Sequence, residues 1–163
     1  MNIVLFLIYL TYLSKLYSIN NLSISERCKI AESHNIQSYG SAVIDILSMD
    51  DKSQVRNCLA KNVNVGIRVL RTLAGDKEFD VVTSVANNTG ADDSVFEKLI
   101  ESTGFSRQQR NVILDCIAMN PSVGMELLKS HLNIFNISSM KKNKNKIISN
   151  GMSIFYDTYS YLL

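Results

Sequence analysis

The sequence predicts an all-α fold: an α-solenoid of about four helical hairpins, HEAT- or ARM-like, closed by one or two C-terminal capping helices. Three observations predict it. The chain of 163 residues contains one Pro and only seven Gly, too little turn punctuation for a fold of many strands. Two stretches, "LAKNVNVGIRVLRTL" at 59–73 and "IAMNPSVGMELLKSHL" at 117–132, share one outline, and each follows a cysteine, Cys58 or Cys116. Two more segments carry that outline, one from Cys28 to Leu47 and one from Ser84 to Ile100, so the anchors Cys28, Cys58, Ser84 and Cys116 stand 30, 26 and 32 residues apart. Each unit is an apolar-periodic stretch, an Asn-rich polar break and a second apolar-periodic stretch. A period of about 30 residues with two helical patterns marks hairpins that bury their faces by stacking on neighbours.

Taken in order, the chain opens with "MNIVLFLIYLTYLSKLYS", apolar from Ile3 to Leu10 and then mixed. That run is shorter than the roughly 20 apolar residues a bilayer span needs. It fits a secretory h-region ending near Ser18, so residues 1–18 are read as a signal peptide and 19–163 as the helical-repeat domain. An uncleaved anchor and a buried helix are the alternatives. First helices are expected near 24–34, 52–61, 77–87 and 107–119, and their partners near 37–48, 63–74, 92–103 and 121–132.

Ser23 with Glu26 and Ser106 with Gln109 spell capping boxes. Asp50 or Asp51, Asp76, and Asp92 or Asp93 stand where other helices should begin. Asn120-Pro121 reads as an N-cap followed by proline in the first turn. Gly75 and Gly104 fall where second helices should stop. Gly40, Gly66 and Gly124 sit early in three second helices, which points to close approach between backbones. Terminal helices are expected over about 138–162, where Ile147, Ile148, Phe155 and Tyr159, with Phe135 before them, would cover the last hairpin.

Charge excludes one class of partner. Residues 19–140 hold 12 Lys and Arg against 14 Asp and Glu, and the surplus of positive charge lies in the "KKNKNK" run of 141–146. A slightly acidic body is a poor phosphate-binding surface, so no nucleic-acid partner is expected. The lysine run reads as a solvated face. Sequons at Asn21, Asn87 and Asn136 permit N-glycosylation, though the Asn and Ser/Thr content produces about that many by chance. The cysteines occupy matching repeat positions among apolar neighbours. They are expected to be buried and unpaired, because packed helices lie about 8–10 Å apart while disulfide Cα atoms are usually within about 6.8 Å. A Cys28–Cys58 bridge is the alternative.

The stretch "FSRQQRNVILDCIAMNPSVGMELLKSHL", with Arg107, Gln109, Asn120, Pro121 and Gly124, resembles the C-terminal helical domain of the gluzincin aminopeptidases, the aminopeptidase N and endoplasmic-reticulum aminopeptidase type. The upstream segments look like that domain's preceding hairpins, and "NKIISNGMSIFYDTYSYLL" is similar to its closing helices. Arg110 stands where an Asp is usual, and Leu127 and Leu128 stand where a Trp and an aromatic neighbour are usual. The resemblance implies a helical array that closes over a substrate chamber and brings none of the family's chemistry. His34 and His131 are the only histidines, and neither opens the His-Glu-x-x-His zinc motif. No nucleophile elbow, phosphate-binding glycine loop or Cys-x-x-Cys is present.

The expectation is therefore a non-catalytic module with no metal and no cofactor, secreted or in the endoplasmic-reticulum lumen. Its partner would be a peptide or protein, an aminopeptidase among the candidates. Polar positions on the second helices are the candidate binding residues: Arg68, Arg71, Lys98 and Lys129, with Glu97 and Glu126 beside them. The alternative is a structural or derelict aminopeptidase remnant with no activity of its own.

Overall fold

Capping boxes start two helices of this chain where the sequence spells them. Ser23 accepts the Glu26 N–H while the Glu26 carboxylate accepts the Ser23 N–H, and Ser106 pairs with Gln109 in the same way. The structure, a computed structural model, describes residues 3–131 and 133–135. Among these residues every regular element is helical. In order they are α1 (Ile3–Asn20), α2 (Ile24–Ala31), a 3-10 turn at Ile36–Tyr39, α3 (Ser41–Ser48), α4 (Ser53–Lys61), α5 (Ile67–Leu73), α6 (Phe79–Asn87), α7 (Asp93–Glu101), α8 (Arg107–Met119) and α9 (Met125–Ser130).

One burial stripe recurs. Helix α4 buries Val55, Arg56, Leu59 and Ala60; α6 buries Val81, Val82, Val85 and Ala86; α7 buries Val95, Phe96, Leu99 and Ile100. Positions i, i+1, i+4 and i+5 make a single apolar face on a 3.6-residue helix, and each Val or Leu wholly removed from water contributes about 1.5–3 kcal/mol. These faces meet in a set order. Helix α4 packs between α2 and α6, and α6 between α4 and α8, while α3, α5 and α7 pack in sequence beside them. The first helices α2, α4, α6 and α8 are joined more extensively than the second helices are. Helix α1 lies against α3, with Ile19 buried and Leu16 packed on the core, while Ile3, Val4, Leu7 and Ile8 are exposed. No described helix is long and apolar enough to cross a membrane.

A side-chain ladder joins the first helices at their C-terminal ends. Asn62, Asn88 and Asn120 are the C-caps of α4, α6 and α8, and all three are buried. Asn62 Nδ2 donates to the carbonyls of Ala31 and Ser33 at 2.8 and 2.9 Å. Asn88 Nδ2 donates to Ala60 and Asn62 at 2.7 and 3.1 Å, and Asn120 Nδ2 to Ala86 and Asn88 at 2.8 and 3.1 Å. Each Oδ1 accepts the backbone N–H two residues on, from Asn64, Gly90 and Ser122. One amide thus satisfies carbonyls freed at the preceding helix end and pins its own loop. The same position in the first unit is Glu32, which is exposed and has no first helix before it.

A second set of ties anchors the first helices to the loops behind them. Arg56 reaches Asp76 through Nε at 2.6 Å and Nη2 at 3.0 Å, and its Nη1 donates to the Asp50 carbonyl at 2.6 Å. Arg27 Nε lies 3.3 Å from Asp50 Oδ2 but is not aligned for a hydrogen bond. Arg110 donates to the carbonyls of Ser102 and Ile100.

Several expectations are corrected. Asn120-Pro121 does not start a helix; Asn120 closes α8, and α9 begins at Met125 after Gly124. Asp50 and Asp76 are not N-caps. They accept the N–H of Lys52 and Glu78, two residues on and just ahead of the helix starts. Asp92 does cap α7, accepting the Val95 N–H. The three glycines precede their helices and do not bring helix backbones together. Gly40 is there for its positive φ of 82°, which L side chains rarely adopt. Gly124 lets a backbone N–H reach Asp93 Oδ1 at 2.7 Å, where a Cβ would strike that carboxylate. Gly66 has open space around it. Cys116 is buried as expected, but Cys28 and Cys58 are half-buried, and all three are free. Phe135 is buried against the core; the segment expected to cap the array, 138–162, lies outside the described residues.

Candidate interaction surface

The four basic candidates on the second helices do not converge. Arg68 is exposed and its Nη2 bonds Asp45 of α3. Lys98 Nζ donates to the Arg71 carbonyl at 2.6 Å, tying α7 to α5, and Lys129 pairs with Glu126 of its own helix at 2.9 Å. The Arg71 side chain is exposed and makes no ion pair among the described residues. Three of the four charges are thus engaged locally, two of them between neighbouring second helices.

Two sequons fall among the described residues. Asn21 is exposed just after α1. Asn87 is exposed as a residue, yet its Nδ2 donates to the Thr83 carbonyl at 2.9 Å and to Cys116 Sγ at 3.3 Å. Asn136 lies outside the described residues. His34 Nδ1 sits 3.1 Å from Asn64 Nδ2, which donates if Nδ1 is unprotonated, and His131 Nδ1 sits against Ser130 Oγ at 2.8 Å. No three His, Cys, Asp or Glu side chains gather into a metal-holding group among the described residues.

Two of the thiols are held in the protonated form. Burial, with Cys28 and Glu32 beside it, pushes the Cys58 thiol far above its ordinary range. Burial also raises Cys116, only partly offset by the Asn87 amide. The reactive form of cysteine is the thiolate, and at neutral pH these two remain protonated.

A different surface does assemble. Helices α4 and α6 meet in a seam, the α4–α6 groove, with a separate cavity at each end. At its N-terminal end Ser53, Gln54, Asn57, Glu78, Phe79 and Asp80 line a cavity of about 220 Å³. At its C-terminal end Lys61, Val63, Ser84, Asn87, Asn88 and Thr89 line one of about 280 Å³. Between them Ser84 Oγ donates to Asn57 Oδ1 at 2.6 Å. Residues 53, 57 and 61 of α4 share one face at a spacing of four, and 80, 84 and 87 of α6 share one at spacings of four and three, which is why one side of the pair carries the whole groove. Its walls are amides and hydroxyls, with carboxylates at one end and an ammonium at the other. No family model, no curated protein and no solved structure matches this chain. The groove must therefore be read from its own chemistry.

None of the groove residues is among the binding candidates read off the sequence; Ser84 enters there as a repeat anchor and Asn87 as a sequon. Outward polar residues on the first helices are the signal that would have found the groove. They are indistinguishable in one dimension from an ordinary solvated face.

Proposed function

We propose that this protein is a non-catalytic interaction module. It is an α-solenoid of four stacked helical hairpins with a C-terminal cap, secreted or resident in the endoplasmic-reticulum lumen, which holds a peptide or protein segment on the inner side of the array. The observation that carries this reading is the amide ladder of Asn62, Asn88 and Asn120, in which one hydrogen-bond pattern recurs unit after unit. A repeated lateral tie is what a one-dimensional stack of hairpins needs, since each unit touches only its neighbours. The more extensive packing among the first helices supports the α4–α6 groove over the second helices as the binding face, on the inner side of the array. Arg68, Arg71, Lys98 and Lys129 then belong to the outer side.

Kinship with the aminopeptidase C-terminal domain rests on the motifs of residues 105–132, and an aminopeptidase is one candidate partner. The test is a random pentapeptide array probed with the full labelled chain. A set of sequences that bind saturably is expected. A folded chain that binds none would favour the alternative, a structural remnant with no partner.

A further inference from the structure

We propose that the α4–α6 groove takes an extended peptide segment carrying a basic residue and an acidic residue four positions apart. This rests on the module reading above and specifies its ligand. At one end the carboxylates of Glu78 and Asp80 flank the half-buried ring of Phe79, and no basic side chain lines that cavity. Two nearby cations are committed elsewhere, Arg56 forked onto Asp76 and Lys52 paired with Asp51 at 3.0 Å, while Lys77 beside Glu78 is exposed and does not line the cavity. Glu78 adds to the field on Arg56 without forming an ion pair with it. An incoming guanidinium or ammonium there meets two carboxylates and an aromatic face, the arrangement that favours a cation most. The Phe79 ring is held for this by its edge contact with Phe105, centroids 6.1 Å apart.

At the other end Lys61 is the one charged residue lining the cavity, among amides and hydroxyls. It makes no ion pair among the described residues, so a carboxylate is its complement.

The spacing follows from geometry. Helix α4 has nine residues, and at about 1.5 Å per residue the groove along it is roughly 13 Å long. An extended peptide rises about 3.3 Å per residue and alternates its side chains between two faces. Residues four apart therefore span roughly 13 Å and point to the same face. Residues three apart span about 10 Å and point to opposite faces. The side chain midway between the charges sits over the Asn57–Ser84 hydrogen bond, where a small residue fits.

The test is fluorescence polarisation with the full chain and end-blocked, labelled peptides. Lys-Ala-Ala-Ala-Glu and its reversal, Glu-Ala-Ala-Ala-Lys, are titrated beside Lys-Ala-Ala-Glu and Gln-Ala-Ala-Ala-Gln. At least one of the two long charged peptides is expected to bind about tenfold tighter than both controls. The double variant Glu78→Gln/Asp80→Asn and the single variant Lys61→Gln should each remove most of that advantage, and Arg71→Gln should leave it unchanged. Thermal melts confirm that the variants fold. Equal binding of the short peptide, or binding insensitive to Lys61→Gln, overturns the proposal. Loss of binding in Arg71→Gln would assign the peptide to the second helices, overturning this site while the module reading stands. If neither these peptides nor the random array binds, both readings fall together.

Discussion

Replacing Asn88 should weaken the fold more than any exposed substitution. Asn88 is 3% exposed, and its amide makes three hydrogen bonds: to the carbonyls of Ala60 and Asn62, and from the Gly90 N–H. Asn88→Ala removes all three at once. The Asn62 carbonyl keeps the Val65 N–H at 3.2 Å, and Gly90 is only half-buried, so water can reach its N–H. The Ala60 carbonyl belongs to a residue wholly out of solvent. One fully orphaned buried group costs about 1–3 kcal/mol, and the two partly compensated bonds add about 0.5–1.5 kcal/mol each. The sum is about 2–6 kcal/mol. Chemical denaturation with a two-state fit measures it, the slope reporting whether the transition stays cooperative. Asn64→Ala, which removes only an exposed contact to His34, should stay within about 0.5 kcal/mol. Asn88→Asp sharpens the test. It has the same shape, but its carboxylate can only accept, so it faces two carbonyl oxygens and should be worse than Ala at neutral pH. A cost below about 1 kcal/mol for Asn88→Ala, or an Asp variant as stable as the parent, would refute the ladder.

The other expectations are shorter. Asp76→Asn should cost about 3–5 kcal/mol, since it leaves Arg56, whose side chain is 10% exposed, without its counter-charge. Burial pushes the Asp76 carboxyl up, but the Arg56 fork and the N–H groups of Glu78 and Lys77 outweigh it and hold it below its ordinary 3.8. Its stabilisation is therefore full above pH 3.8 and lost as pH falls through the lower folded value, so the gap between variant and parent should close in acid melts. Asp50 runs the other way: burial raises its carboxyl, and Asp50→Asn should cost relatively more in acid than the pH trend of Asp76→Asn suggests. Gly124→Ala should lower the melting temperature, because its Cβ meets the Asp93 carboxylate; pairing it with Asp93→Ala should recover part of the loss. Leu70→Ala and Leu128→Ala, at 0% and 1% exposure, should each cost about 2–5 kcal/mol by denaturation. Denatured, non-reduced protein should titrate three thiols, and native protein fewer; a mass two protons lower with a linked Cys28–Cys58 peptide would contradict the free cysteines.

Much of the helical framework was legible from local chemistry. Both capping boxes formed where Ser-x-x-Glu and Ser-x-x-Gln stood, and α8 spans 107–119 as expected. The anchors 30, 26 and 32 residues apart prove to be placed four residues before each C-cap position, at Glu32, Asn62, Asn88 and Asn120. Second helices were less legible. Residues 63–66 and 121–124 were expected to be helical, yet they form the loops that the ladder asparagines pin, so α5 and α9 start only at Ile67 and Met125. Apolar periodicity alone cannot mark that delay, because Val63, Val65 and Val123 continue the pattern through the loop.

By itself the sequence determined the helix class and most helix starts, for these depend on groups a few residues apart: a cap and its N–H, a stripe at i and i+4. Only the tertiary structure decided what the asparagines and arginines are for. Asn88 looks the same in one dimension as Asn87, its neighbour; one is buried and bonded to the previous unit, the other is exposed. Arg56 and Arg68 read alike as basic helix residues, yet one is buried on Asp76, 20 residues away, and the other is exposed on Asp45. The groove has the same origin, since Ser53, Asn57, Asp80 and Ser84 acquire a common surface only when α4 and α6 stack. Their partners lie 20 to 30 residues off along the chain, a separation at which local pattern carries no register and only packing brings the groups together.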